Sequence, residues 1–189
     1  LDVVTGGQDT VALRVPKHPL TLAVLQEFGG GLAAPSANKF GKLSPTRAEH
    51  VIADLGDEVD LVFDGGPCSV GVESTIVDLT NIVPRLLRPG GVPREHIEAL
   101  LNLRLAQPTG DERAPGMLES HYAPRAGLVI TTQEKAADEA AQRDLWGAAV
   151  AVLSVEPPPL PPNIEHFPLP DDPAAAARVL YATLRKIDE

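Results

Sequence analysis

The chain has 189 residues, enough for one medium domain or two small ones with a real core. Hydrophobic residues make up 43% and aromatics only 4%, so the core must be built mainly from Leu, Val, Ile and Ala. The formal net charge of −10, with 26 acidic against 16 basic residues, argues against a chain whose main task is gripping a nucleic-acid backbone, since phosphate neutralisation calls for a basic face.

No apolar run approaches the roughly 20 residues that span a bilayer, and no basic-then-apolar leader opens the chain. The single cysteine, Cys68, excludes an internal disulfide and suits a reducing compartment. The expectation is a cytoplasmic protein with no membrane partner. The chain starts at Leu1 inside a strand-like run over residues 1–4, and its last helix simply stops, so both ends read as cut.

Residues 10–15 (TVALRV) have strand composition, and Pro16 ends them because proline lacks the ladder donor. The spacing of Leu22, Leu25 and Phe28 predicts a helix over 21–28, stopped by Gly29, Gly30 and Gly31. Residues 32–34 read as a short buried strand leading into a polar loop. Ser44, Pro45 and Thr46 predict a helix start, with Ser44 as cap and Pro45 in the first turn; that helix should reach Leu55 and close at Gly56. Strand-like clusters follow at 61–64, 74–79 and 84–87, each bounded by Gly, Pro or Asn. A short helix is expected at 95–101. Residues 103–116 then lose periodicity and collect the polar and breaker residues of a linker.

The rhythm changes beyond that point. A strand at 127–131, a helix at 133–145, a strand at 148–154, a strand near 165–169 and a final helix opened by Asp172 and Pro173 and running to 186 alternate as in an α/β unit with a parallel sheet. The proline run at 157–162 has no basic flanks and reads as a stiff surface loop rather than a polyproline ligand. Trp146 and the region of Tyr181 read as core of this unit, and Cys68 as a small core thiol. The five histidines, His18, His50, His96, His121 and His166, have no metal-ligand spacing.

Three stretches could carry chemistry. The first holds Ala33, Ala34, Pro35, Ser36, Ala37 and Asn38, then Gly41 and the Ser44–Pro45–Thr46 helix start. Small residues admit a ligand close to the backbone, and a helix N-terminus favours phosphate. The same residues also fit an ordinary turn with a helix cap. The second, Gly65-Gly66-Pro67-Cys68 followed by Gly71-Val72-Glu73-Ser74-Thr75-Ile76-Val77-Asp78, puts Glu73 and Ser74 where a loop enters an apolar strand, either a ligand-facing sheet mouth or a glycine-punctuated bulge. In the third, Leu87-Arg88-Pro89-Gly90-Gly91, an arginine at a strand end could hold a phosphate or carboxylate bidentately, or stand on the surface beside a turn.

Taken together, APSAN with the later SPT, GGPCSVGVESTIVDL and LLRPGG stand in the order and approximate spacing of the YrdC-type domain, and the chain resembles threonylcarbamoyl-AMP synthases. Ala114-Pro115-Gly116-Met117 and Ser120-His121-Tyr122-Ala123-Pro124 are similar to the PGM…HYAP segment of the longer, two-domain branch of that family. The resemblance implies an α/β architecture in three parts: the C-terminal part of a YrdC-like twisted-sheet domain at 1–103, a linker at 104–124, and a partial Rossmann-like α/β domain at 125–189. It implies an enzyme that makes threonylcarbamoyl-AMP and pyrophosphate from L-threonine, bicarbonate and ATP with Mg²⁺, supplying a downstream complex that modifies tRNA.

Residue by residue, the resemblance implies that Thr10, Ser36, Ser44 and Arg88 hold ATP, that Asn38 supports the nucleotide loop, and that His121 and Tyr122 lie against the nucleotide as a gate. Arg14, the Ala34 backbone and Ser74 are implied for threonine. No covalent nucleophile is expected. The family's front half also carries a Thr-containing loop and a basic cluster that grips the triphosphate. Nothing here matches it: the only basic side chains other than histidine before Arg47 are Arg14, Lys17, Lys39 and Lys42. The 189 residues alone are therefore expected to be inactive. An RNA-binding module of the same fold is the alternative, disfavoured by the acidic balance. The related carbamoyl-transferring module of hydrogenase maturation proteins fits less well, lacking here its zinc-finger cysteines.

Overall fold

The computed structural model describes residues 2–108 and 123–189. In chain order these form α1 (Asp2–Thr5), α2 (Pro19–Phe28), α3 (Ala48–Leu55) with a 3₁₀ turn at Gly56–Glu58, β1 (Ile76–Asp78), β2 (Arg85–Arg88) and α4 (Arg94–Leu101). Beyond residue 123 come α5 (Gln133–Leu145), β3 (Ala151–Ser154), β4 (Glu165–Pro168) and α6 (Pro173–Ile187). The class is α/β. No described helix is long and apolar enough to cross a membrane.

The helices form where local signals specify them. α2 starts with Pro19 in its first turn and stops at Gly29, whose φ of 71° lets its N–H return to the Leu25 carbonyl at 3.0 Å. α6 has Pro173 in its first turn, the Asp172 carboxylate accepting from the Ala175 N–H at 2.8 Å, and Arg185 and Lys186 in its last turn, where the helix dipole favours cations. Asn102, at φ 51°, closes α4 in the left-handed conformation that asparagine tolerates.

β3 and β4 pair in parallel, Ala151 against Glu165 through Ser154 against Pro168, so the parallel sheet expected beyond residue 125 forms between two strands that no helix separates. Ala140 of α5, Val152 of β3 and Ile164 make a small core, extended by Val150 and Leu160. β1 and β2 pair antiparallel, with an irregularity between Ile76 and Val77. Asp78 closes their turn by accepting from the Thr80 N–H and hydroxyl at 2.8 and 2.7 Å; those bonds hold its carboxyl below the usual value. The second edge of β2 takes up Ala106: Leu86 N–H donates to Ala106 O at 3.0 Å, and Ala106 N–H to Pro84 O at 2.9 Å. Arg94 and Glu98 of α4 fasten the Leu105 backbone from both sides, so Leu105 is buried within a span that composition reads as linker.

Four strand expectations are overturned, at 10–15, 32–34, 61–64 and 127–131, and residues 2–5 are a helical turn, not a strand. Strand composition cannot supply a ladder partner, and the described residues pair only β1 with β2 and β3 with β4, apart from the bridge at Ala106. Unpaired, these segments leave apolar side chains in solvent: Leu13, Val15 and Ile130 are about nine-tenths exposed. Trp146 and Cys68 are exposed too, against the core positions expected for them, whereas Tyr181 is half-buried.

α6 lies tightly on the loop before β1. Gly71 has φ 83°, and a Cβ there would run into the backbone of Ala177 and Arg178. Gly71→Ala is therefore expected to cost roughly 3 kcal/mol, left-handed strain and collision together. Gly29→Ala has the same sign of φ but open space around it and should cost only about 1 kcal/mol. Thermal melts of the two variants decide: equal shifts in Tm would contradict the close approach at Gly71.

Candidate functional site

Arg88 ends β2 opposite Ile76, with its side chain 9% exposed. Its Nε donates to the Ser74 carbonyl at 3.0 Å, and its Nη2 lies 3.5 Å from Glu73 Oε2. Glu73's other oxygen, Oε1, accepts from the buried Ser44 hydroxyl. One carboxylate thus joins the polar loop after residue 38 to the end of β2. Both charges are largely withdrawn from water, so removing either partner would strand the other, typically a cost of several kcal/mol.

The backbone around this cluster is drawn in by glycine. Gly91 N–H donates to Glu73 O at 2.9 Å, and a Cβ on Gly90 would collide with the backbone of residues 73–75. The Thr75 hydroxyl donates to Val92 O at 2.7 Å and accepts from Val92 N–H at 3.1 Å. The Leu87–Gly91 stretch is thereby strapped against Glu73, Ser74 and Thr75.

The structure brings together Ser44, Arg88 and the Ser74 carbonyl from among the expected residues, with the Ser74 side chain exposed. Asn38 spans a neighbouring turn, its amide nitrogen donating to Lys39 O and Lys42 O, both at 3.0 Å, while its buried Oδ1 has no partner among the described residues. Thr10, Arg14, Ala34 and Ser36 are exposed and lie outside helices and strands, and no hydrogen bond among the described residues ties them to the cluster. His121 and Tyr122 fall outside the described residues. Ala123 donates to the Gly41 carbonyl at 3.2 Å, beside the Asn38 turn.

Ser44 is not the helix cap expected of it. Helix α3 begins four residues later, at Ala48, behind an extended Arg47, because the Ser44 hydroxyl is committed to Glu73. No side chain caps α3; instead His50 Nδ1, inside the helix, accepts from the Thr46 N–H at 3.1 Å and ties the residues before the helix to its first turn. Burial, then the positive charges of Arg185 and Arg47, hold the His50 pKa below its ordinary 6.5. Beside this start lies a cleft of about 240 Å³ lined by Thr46, Arg47, Val51, Phe63, Gly65 and Cys68.

Sequence reading places Glu73 at the strand mouth without giving it a role. A lone carboxylate in a neutral, glycine-rich loop needs a cation, and Arg88 was the available signal. His50 and Arg185 gave none, since their partners are set by packing.

Residues 1–90 match the Sua5–YciO–YrdC family model, described as Telomere recombination, and residues 92–189 match the model for the C-terminal domain of threonylcarbamoyl-AMP synthase. Over 160 residues the chain is 43% identical to the threonylcarbamoyl-AMP synthase of Bacillus subtilis (strain 168), covering 81% of this chain and 46% of that protein. The crystal structure of P. abyssi Sua5 complexed with L-threonine is similar with a TM-score of 0.89 and 37% identity, covering 100% of this chain and 58% of that one. A P. abyssi Sua5 variant with an adjacent histidine and tyrosine changed to alanine is similar with a TM-score of 0.84 and 35% identity, covering 100% and 57%. The chain spans about half the length of these relatives.

His50 gives the Ser44 loop a pH dependence of known sign. Neutral imidazole accepts from Thr46; protonation removes that acceptor and adds charge beside Arg185. With a folded-state pKa below 6.5, the unfolded chain takes up the proton first, so stability is full above 6.5 and is lost as pH falls toward the folded value. His50→Asn keeps an acceptor but no titration, and should flatten the dependence of Tm on pH below 6.5. An unchanged slope would show that another group carries it.

Proposed function

The chain belongs to the threonylcarbamoyl-AMP synthase family, and on that footing we propose that it forms part of an L-threonylcarbamoyladenylate synthase. The reaction would join L-threonine and bicarbonate as a carbamate, with loss of water. The carbamate oxygen would then attack the α-phosphorus of ATP, and the bond to the β-phosphate would break to release pyrophosphate. No covalent nucleophile is required; the protein positions reactants and stabilises charge. The Ser44–Glu73–Arg88 cluster is the observation that carries this reading.

In that site Arg88 and Ser44 would face phosphate oxygens, joined by Thr10 and Ser36, with Asn38 holding the turn beneath. Ser44 would exchange its bond to Glu73 for one to phosphate. Arg14 suits the carboxylate of threonine, with the Ala34 backbone and Ser74 completing that subsite. His121 and Tyr122 would close over the nucleotide. The Ala123–Gly41 bond and the alanine-substituted histidine–tyrosine pair of the P. abyssi variant support attention to this pair. Mg²⁺ would enter with the nucleotide. No group of three or more His, Cys, Asp or Glu among the described residues could cage it, so its ligands would be phosphate oxygens and water.

We place the end of the nucleotide-binding domain at 103, a linker of the longer branch at 104–124, and a second domain from 125; the two family models meet earlier, between residues 90 and 92. The product would pass in the cytoplasm to a complex that modifies tRNA, and the acidic balance disfavours direct RNA binding by this stretch.

Threonine-dependent pyrophosphate release by the natural full-length protein tests the reading, and its absence would refute it. Arg88→Lys keeps the charge but not the fork, and should lower kcat/KM for ATP by roughly tenfold or more. The 189 residues alone should release no pyrophosphate above background, because Arg14, Lys17, Lys39 and Lys42 are the only lysines and arginines before Arg47 and do not form the basic cluster that a triphosphate needs.

A further inference from the structure

Helix α6 reaches the candidate site through two arginines seven residues apart, which places them on one face two turns apart. Arg178 Nε donates to the Ser69 carbonyl at 2.8 Å, next to the close approach of Gly71. Arg185 does more. Its Nη1 and Nη2 pair with the two oxygens of Asp54 in α3 at 3.1 and 2.6 Å, its Nη2 also donates to the Leu43 carbonyl, and its Nε donates to the Ser44 carbonyl at 3.4 Å. The pair is mostly enclosed, with side-chain exposures of 15% and 19%. Leu43, whose carbonyl takes part, and Leu184, next to Arg185 in sequence, are both buried.

These contacts fall on the two loops that the Glu73 carboxylate joins. Arg178 holds the stretch at 69–71 that leads into Glu73, and Arg185 holds the backbone of Ser44 itself. A bidentate guanidinium is the side chain that can grip a carboxylate and two carbonyls together, and its fork fixes their relative positions. We propose that α6 is a brace for the nucleotide side of the site and that Arg185 is a positioning residue: it acts on ATP through Ser44, without touching ATP. The inference rests on the functional reading above and extends it, since it makes the region after residue 125 a part of the site's geometry.

The experiment uses the natural full-length protein with Arg185→Ala, Arg185→Lys and the exchange Asp54→Arg with Arg185→Asp. Arg185→Ala should raise KM for ATP by about tenfold, with KM for threonine nearly unchanged. Arg185→Lys retains the charge toward Asp54 and should fold, yet still raise KM for ATP several-fold. The exchange restores opposite charges, so it should recover much of the thermal stability. It should not recover KM for ATP, because an aspartate cannot donate to the Leu43 and Ser44 carbonyls. Wild-type KM for ATP in Arg185→Lys, or recovery of KM by the exchange, would overturn the proposal. Hydrogen exchange of the amides at 43–48 separates this from the functional reading, for it needs no turnover. Faster exchange in Arg185→Ala is expected, and wild-type protection there would overturn the brace even in an active enzyme. An inactive wild type with a loosened loop in the variant would instead sink the functional reading and leave the brace standing.

Discussion

Glu73 places one carboxylate oxygen on the Ser44 hydroxyl and the other 3.5 Å from the Arg88 guanidinium. The two groups proposed to meet phosphate are thereby held by an internal anion. A partly buried arginine with no counter-charge would be costly, and a loop serine with no acceptor would wander. The carboxylate answers both needs. It also sets a condition on any polyanion that binds: the incoming oxygens must take over bonds that Glu73 already makes, and neighbouring cations must offset the repulsion that remains.

Around that bridge, each supporting element makes a distinct contribution. The β1–β2 pair delivers Arg88 and the Ser74 carbonyl. The glycines at 90 and 91 let the following strap lie against residues 73–75. His50 secures the start of α3 after Ser44 has left the cap, and α6 closes the assembly from a distant part of the chain. Three arginines, Arg88, Arg178 and Arg185, stand against two carboxylates, Glu73 and Asp54, so the arrangement carries a small positive balance within an acidic chain.

What the sequence made legible divides along the range of the interactions. Helices α2, α5 and α6 were readable because proline, glycine and apolar spacing act within a turn or two. The β3 and β4 segments were readable as strands from their composition, although no helix stands between them to dictate the parallel pairing. Residues 10–15 and 127–131 have equally good strand composition, but a strand exists only with a partner, and no local pattern names one. Ser44 shows the same limit at the scale of one side chain. Serine before proline reads as a cap, yet an acceptor 29 residues away claimed its hydroxyl and moved the helix start. The motifs named residues that lie together, since the Ser44 hydroxyl, the Ser74 carbonyl and Arg88 meet around Glu73, but they could not disclose Arg185.

The separation of these partners along the chain also bears on the order of assembly. Arg185 meets Asp54 across 131 residues, and Leu43 and Ser44 across 142 and 141. Contacts of such span form late, after nearer ones have shortened the loop they must close. During synthesis at about 5–20 residues per second, the Ser44 loop would wait roughly 7–28 s for Arg185 to be made. Until then Asp54 and the two carbonyls must be satisfied by water, and the nascent site is a loop in search of its last helix.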